Sequence, residues 1–136
     1  MAQEPIPSPN SCPFCSIASA HPPFSPSSPS NPDPPPGTYV LLSTPLVIAF
    51  LDIAPISRGH VLVATRAHRE KVSDVTVAEG RALGAWLGVV SRAVVRSVGL
   101  TGEGREGVGD WNIVQNNGGL PFLDFGKGGA VVGVMG

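Results

Sequence analysis

Cys12-Pro13-Phe14-Cys15, Asp52, His60, His68 and Asn116-Asn117 are the residues whose types and spacing bear on chemistry. Two thiols spaced C-x-x-C supply two of the four soft ligands of a closed zinc site, with His68 as a candidate third. The same spacing serves redox chemistry where a strand presents it and a helix N-terminus lowers the thiol pKa. Here a proline-rich tail precedes the pair, and a third reading, two buried thiols without a ligand, also stands. Asp52 closes an apolar run, where a carboxylate serves a turn or accepts hydrogen bonds from ligand hydroxyls. His60 follows a glycine and reads as a satisfied core histidine. Asn116 and Asn117 suit a turn, and a side-chain amide at a strand end can also donate to a phosphate.

These residues need elements to position them. Residues 46–51 form a nearly continuous apolar run of strand length, and residues 59–65 form a second strand with Val61 and Val63 on one face. The short connection between them favours antiparallel pairing, since a parallel crossover needs more chain. Residues 39–43 are a further short strand, and residues 16–20 suit a short helix. The spacing predicts a long helix over 73–98. Thr76 and Glu79 stand at capping-box positions, and Leu83, Trp86, Leu87, Val90 and Val94 make one apolar face. Gly99 stands where a left-handed cap would end it. Gly80, Gly84 and Gly88 run along this helix as a stripe that either admits a neighbouring backbone or merely weakens the helix. Residues 111–115 are another strand, Asn116-Asn117-Gly118-Gly119 is a turn, and residues 130–134 are a final strand.

Composition bounds the rest. The chain of 136 residues carries a formal net charge of −1, which argues against phosphate-neutralising nucleic-acid binding. No run has the apolar length of a membrane span, and the N-terminal residues lack a basic and an apolar signal region. With only two cysteines, an intracellular, cytoplasmic or nuclear setting is expected. The 15 prolines concentrate locally, giving a loose tail over residues 1–11 and a polyproline-like surface insert over 21–37. Residues 12–136 otherwise read as one domain.

Taken in order, C-P-F-C, F-L-D-I at 50–53, G-H-V-L-V at 59–63, His68, the capped helix and N-I-V-Q-N-N-G at 112–118 resemble the histidine triad (HIT) nucleotide-binding superfamily. The resemblance covers residues 12–118 apart from the proline-rich insert. It implies an α+β fold with a mainly antiparallel sheet of about five strands, one long helix packed on it, and a homodimer. It also implies a purine nucleotide ligand and cleavage at the α-phosphate of phosphoramidates, dinucleoside polyphosphates and related conjugates by a histidine nucleophile. By the match of motifs, Asp52 would hold the ribose hydroxyls, Ile53 would line the nucleoside pocket and Asn116 would contact the α-phosphate region. His60 would support the catalytic histidine. Cys12, Cys15 and His68 would be zinc ligands, with the triad's first histidine as the fourth.

The family's H-x-H-x-H is not found. His21, His60 and His68 are the three histidines, and residues 119–136 (GLPFLDFGKGGAVVGVMG) share nothing with the family pattern. An imidazole that attacks and then leaves near neutral pH has no substitute among Asn and Lys side chains, so the chain as written is expected to be inactive. The last strand is expected to be altered and to pair weakly at a sheet edge. A non-catalytic nucleotide-binding module is the second reading, and a C-x-x-C redox module the third. The abrupt loss of pattern predicts that the genomic region beyond the Asn117 codon encodes H-x-H-x-H in another exon or frame. Sequencing the transcript checks this, and a mature message ending as printed would refute it.

Overall fold

The structure, a computed structural model, describes residues 12–24, 38–52, 55, 58–97, 111–116 and 131–135. Among these residues, two α-helices and five strands follow one another as α1 (Pro13–Ala20), β1 (Val40–Ser43), β2 (Val47–Leu51), β3 (Val61–Thr65), α2 (Val77–Ser97), β4 (Asn112–Asn116) and β5 (Val131–Met135). The strands make one sheet in the order β1-β2-β3-β5-β4, and every pairing is antiparallel. The expected α+β class holds.

The β2–β3 hairpin is the centre of this arrangement. Its register sets Ala49 opposite Val63 and Phe50 opposite Leu62, so facing residues share a side of the sheet. Val47, Ala49, Val61 and Val63 pack with Leu42, Leu83, Val90 and Val94 against α2. Ile48, Phe50, Leu62 and Ala64 pack on the opposite side with Ala18 and Val40, flanked by Phe14, Ile17 and Phe24. Both faces are therefore covered, which is why the strand sequences read as continuous apolar runs rather than as alternations. A bulge between Val40 and Leu42 sends these two residues to different clusters. The expectation of one long helix on the sheet is thus extended: α1 and Phe24 form a second layer. Phe24, inside the proline-rich stretch, also donates its N–H to Ser43 O at 3.0 Å.

Helix α2 begins later than residue 73 because a 3-10 turn, Val72–Asp74, precedes it. Thr76 accepts from the Glu79 N–H at 3.2 Å, and the Glu79 carboxylate accepts from the Thr76 N–H at 2.9 Å, the reciprocal cap that the sequence indicated. Leu83, Val90 and Val94 are buried and Trp86 and Leu87 pack beside them. Along the glycine stripe, a Cβ at Gly84 would meet nothing within 4 Å, so no other backbone among the described residues closes on it. Gly99 lies outside the described residues.

The largest departure concerns β5. Expected as a weak edge strand, it lies inside the sheet, with Val134 opposite both Val61 and Ile113, and Val131 opposite both Ala64 and Asn116. The β-branched valines of V-V-G-V-M suit a strand paired on both sides, and this outweighs the single interior glycine.

Two-sided burial has a direct test. Phe50→Ala, on the α1 side, and Leu83→Ala, on the α2 side, should each cost about 2–5 kcal/mol in urea unfolding. A one-sided sheet would make the Phe50 variant nearly neutral.

Candidate functional site

The chemistry-bearing residues gather at the two ends of β3. At the end entered from the β2–β3 connection, Gly59 turns the chain with a positive φ of 79°. His60 follows immediately before β3, not within it, and is only 3 % exposed. Its Nδ1 lies 3.4 Å from Asp52 Oδ2, and the Asp52 N–H donates to His60 O at 3.3 Å. Asp52 and His60 are therefore partners, bound through side chain and main chain alike. Ile53 lies outside the described residues.

Asn116 does not join them. It closes β4 opposite Val131, which is itself opposite Ala64, whereas Asp52 follows Leu51 opposite Val61. By register, Asn116 stands about four strand steps from the Asp52–His60 level, or roughly 13 Å along the strand direction. Between them runs β5, beside β3.

At the other end of β3, the chain leaves Thr65 and reaches His68, where it meets the start of α1. Cys12 occupies the N-cap position without a side-chain cap, Pro13 opens the helix and Cys15 stands two residues further on. Cys15 Sγ lies 3.3 Å from His68 Nδ1, and the ligand atoms of Cys12, Cys15 and His68 all fall within 4.8 Å of one another. Neither cysteine is in a disulfide. A tetrahedral zinc with S at about 2.3 Å and N at about 2.0–2.1 Å has ligand–ligand edges of roughly 3.5–3.8 Å. The donor types and spacing fit a zinc-class cation. Burial, and then the hydrogen bond and charge of Cys12, push the Cys15 thiol up to about 11. That direction is opposite to the lowered pKa a redox nucleophile needs, and metal coordination would reverse it.

Two charged residues hold this end together, and neither is evident as a site residue in the sequence. Arg66 is wrapped in acceptors: Nε donates to Thr44 O at 2.8 Å, Nη1 to Ala18 O at 2.6 Å, and Nη2 to His21 O at 3.1 Å and to the Ser43 hydroxyl. It thereby caps the last carbonyls of α1, and burial pulls its pKa downward. His21, buried at the same end, has Nδ1 2.9 Å from Ile17 O. Arg69 Nε and Nη2 form a fork on the Glu79 carboxylate at 3.1–3.3 Å, joining the loop after His68 to the cap of α2. The Arg69 guanidinium first, and then the Thr76 N–H, hold the Glu79 carboxyl below its ordinary range against the effect of burial.

Comparison with known proteins agrees with this architecture. The HIT domain family model matches residues 37–119, more than half of the chain, and the chain belongs to that family. It is 32 % identical over 78 residues to adenosine 5'-monophosphoramidase hnt1 of Schizosaccharomyces pombe, a stretch that is 57 % of this chain and 50 % of that relative. The chain thus spans about half the length of the curated relative it matches. A hypothetical protein from Leishmania major superposes with a TM-score of 0.68 at 26 % identity, covering 94 % of this chain and 74 % of that one. A histidine triad nucleotide-binding protein from Candida albicans superposes at 0.61 and 23 % identity, covering 91 % and 73 %, a likeness of fold. Among the described residues, no helix is long and apolar enough to cross a membrane.

The Glu79 contacts give a pH signature. A carboxyl held low in the folded state stabilises it above its unfolded pKa of about 4.3, and that contribution disappears as pH falls through the folded value. Glu79→Gln should therefore be less stable than the parent at pH 7 and lose less further stability on acidification below about pH 4. Urea midpoints measured across the acid range check this, and parallel curves would rule out the Arg69–Glu79 contribution.

Proposed function

We propose that this chain is a nucleotide-binding HIT domain for purine nucleoside phosphates, and that as written it holds nucleotide without cleaving it. Asp52 accepts the ribose hydroxyls, Ile53 lines the nucleoside pocket, and His60 orients Asp52 through their shared contact. The phosphate end runs along β5 toward Asn116. The ligand class is the nucleoside monophosphate portion of phosphoramidates, dinucleoside polyphosphates and similar conjugates, in keeping with the phosphoramidase relative. A homodimer is part of this reading by family resemblance. Cys12, Cys15 and His68 hold a zinc-class cation that would fasten α1 to the loop after β3 and supply folding energy rather than reaction chemistry.

The observation that carries the reading is the placement of β5. It runs beside β3, next to the Asp52–His60 pair, and its residues are Val131, Val132, Gly133, Val134 and Met135. None offers a nitrogen, oxygen or thiol nucleophile. Transfer at the α-phosphate through a covalent intermediate needs a group that attacks phosphorus, carries the nucleotidyl group and then yields to water. Without that group only positioning and electrostatic terms are left, a loss of several orders of magnitude.

Calorimetry with AMP tests the binding half. Asp52→Asn should weaken affinity roughly tenfold to a hundredfold, as expected for hydrogen bonds to a charged acceptor worth about 1.5–3 kcal/mol. No heat at millimolar nucleotide would remove the proposal. Hydrolysis of adenosine 5'-phosphoramidate above the buffer rate would overturn the non-catalytic half while leaving binding intact.

A further inference from the structure

The sulfur and nitrogen donors of this chain are few enough to account for one by one. The whole sequence contains two cysteines and three histidines. Cys12, Cys15 and His68 form one cluster, and no other His, Cys, Asp or Glu among the described residues joins it. His60 is engaged with Asp52 at the opposite end of β3. His21 sits past the C-terminal end of α1 against Ile17 O, whereas the cysteines flank the N-terminal end of that helix. A cation held here thus takes three sulfur and nitrogen ligands from the chain, while tetrahedral coordination calls for four. Protein sites that close around zinc supply all four ligands, and sites that supply three keep the last position for an exchangeable small ligand.

Burial is uneven around the cluster. Cys12 is fully enclosed, whereas Cys15 and His68 each keep part of their surface exposed, although the His68 Nε2 atom is itself enclosed and has no hydrogen-bond partner. We propose that Cys12, Cys15 and His68 form a three-ligand cation site whose fourth position is exchangeable at the Cys15–His68 edge and accepts a small soft ligand such as a low-molecular-weight thiol. This rests on the metal half of the reading above and goes beyond it: the site is a point of ligand entry and not a sealed staple. A thiolate added there would complete a three-sulfur, one-nitrogen shell of the kind zinc favours.

Cobalt(II) is the probe, added in equimolar amount to the reduced full-length chain. Two thiolates on cobalt give near-ultraviolet charge-transfer absorption, and 2-mercaptoethanol in the fourth position should raise it by about half, with the cobalt still bound to protein after gel filtration. Cys15→Ala should lower the starting absorption by about half and so assigns the band. A charge-transfer band that 2-mercaptoethanol leaves unchanged would show that the chain supplies its own fourth ligand, overturning the exchangeable position but not the metal site. Loss of cobalt to the thiol would also overturn it. Absence of any band would overturn the metal site and the open position together.

Discussion

The guanidinium of Arg66 is the contact on which the second layer of this protein depends. Helix α1 has eight residues, too short to persist alone in water, and its C-terminal carbonyls have no partners within the helix. Arg66 collects Ala18 O and His21 O from that end while also binding Thr44 O and the Ser43 hydroxyl of the hairpin. A planar fork with five N–H groups can bridge a helix end and a strand end at once, and a lysine ammonium cannot. Burying a cation is costly unless its donors are satisfied, and here the acceptors named use the guanidinium on every nitrogen. Fixing the far end of α1 in this way sets its near end, with Cys12 and Cys15, against a loop whose position is set two residues from Arg66 itself.

The same loop is held from the other side by Arg69 on Glu79. Glu79 completes the cap of α2, and α2 packs on the face of the hairpin opposite α1. His68 therefore sits between two anchored arginines, each tied to a different layer of the fold. Its imidazole needs no long-range search to meet the cysteines, because the loop carrying it has little freedom left. Such preorganisation lowers the entropy cost of assembling a cluster from residues more than fifty positions apart in sequence.

What could be read in the sequence was whatever depends on local pattern. The β2–β3 hairpin, the apolar face of α2 and the Thr76–Glu79 cap follow from residue spacing, and all three stand as read. The second layer was harder to see. Its contributors, Phe14, Ile17, Ala18 and Phe24, are scattered through a proline-rich region with no periodicity long enough to declare a face. Arg66 and Arg69 are not marked out in the sequence, because their partners are backbone carbonyls, a hydroxyl and a carboxylate ten residues away, none of which leaves a mark on charge pattern. The interior place of β5 was likewise illegible. Strand order is fixed by which edges remain open once the hairpin forms, and that is a property of the sheet rather than of the residues in V-V-G-V-M.

Strand β3 separates the two candidate centres while joining them. His60 stands before its first residue and His68 three residues past its last, so the Asp52–His60 pair and the Cys12–Cys15–His68 cluster occupy opposite ends of one buried strand. They share no side chain. Their supports also differ: the first pair is held by the hairpin turn and Gly59, the second by Arg66, Arg69 and α1. Strand β5 pairs with β3 from Val61 to Ala64, and its sequence is four apolar residues and one glycine. The Asp52–His60 pair and the Cys12–Cys15–His68 cluster thus both depend on the hairpin and the helical layers that cover it.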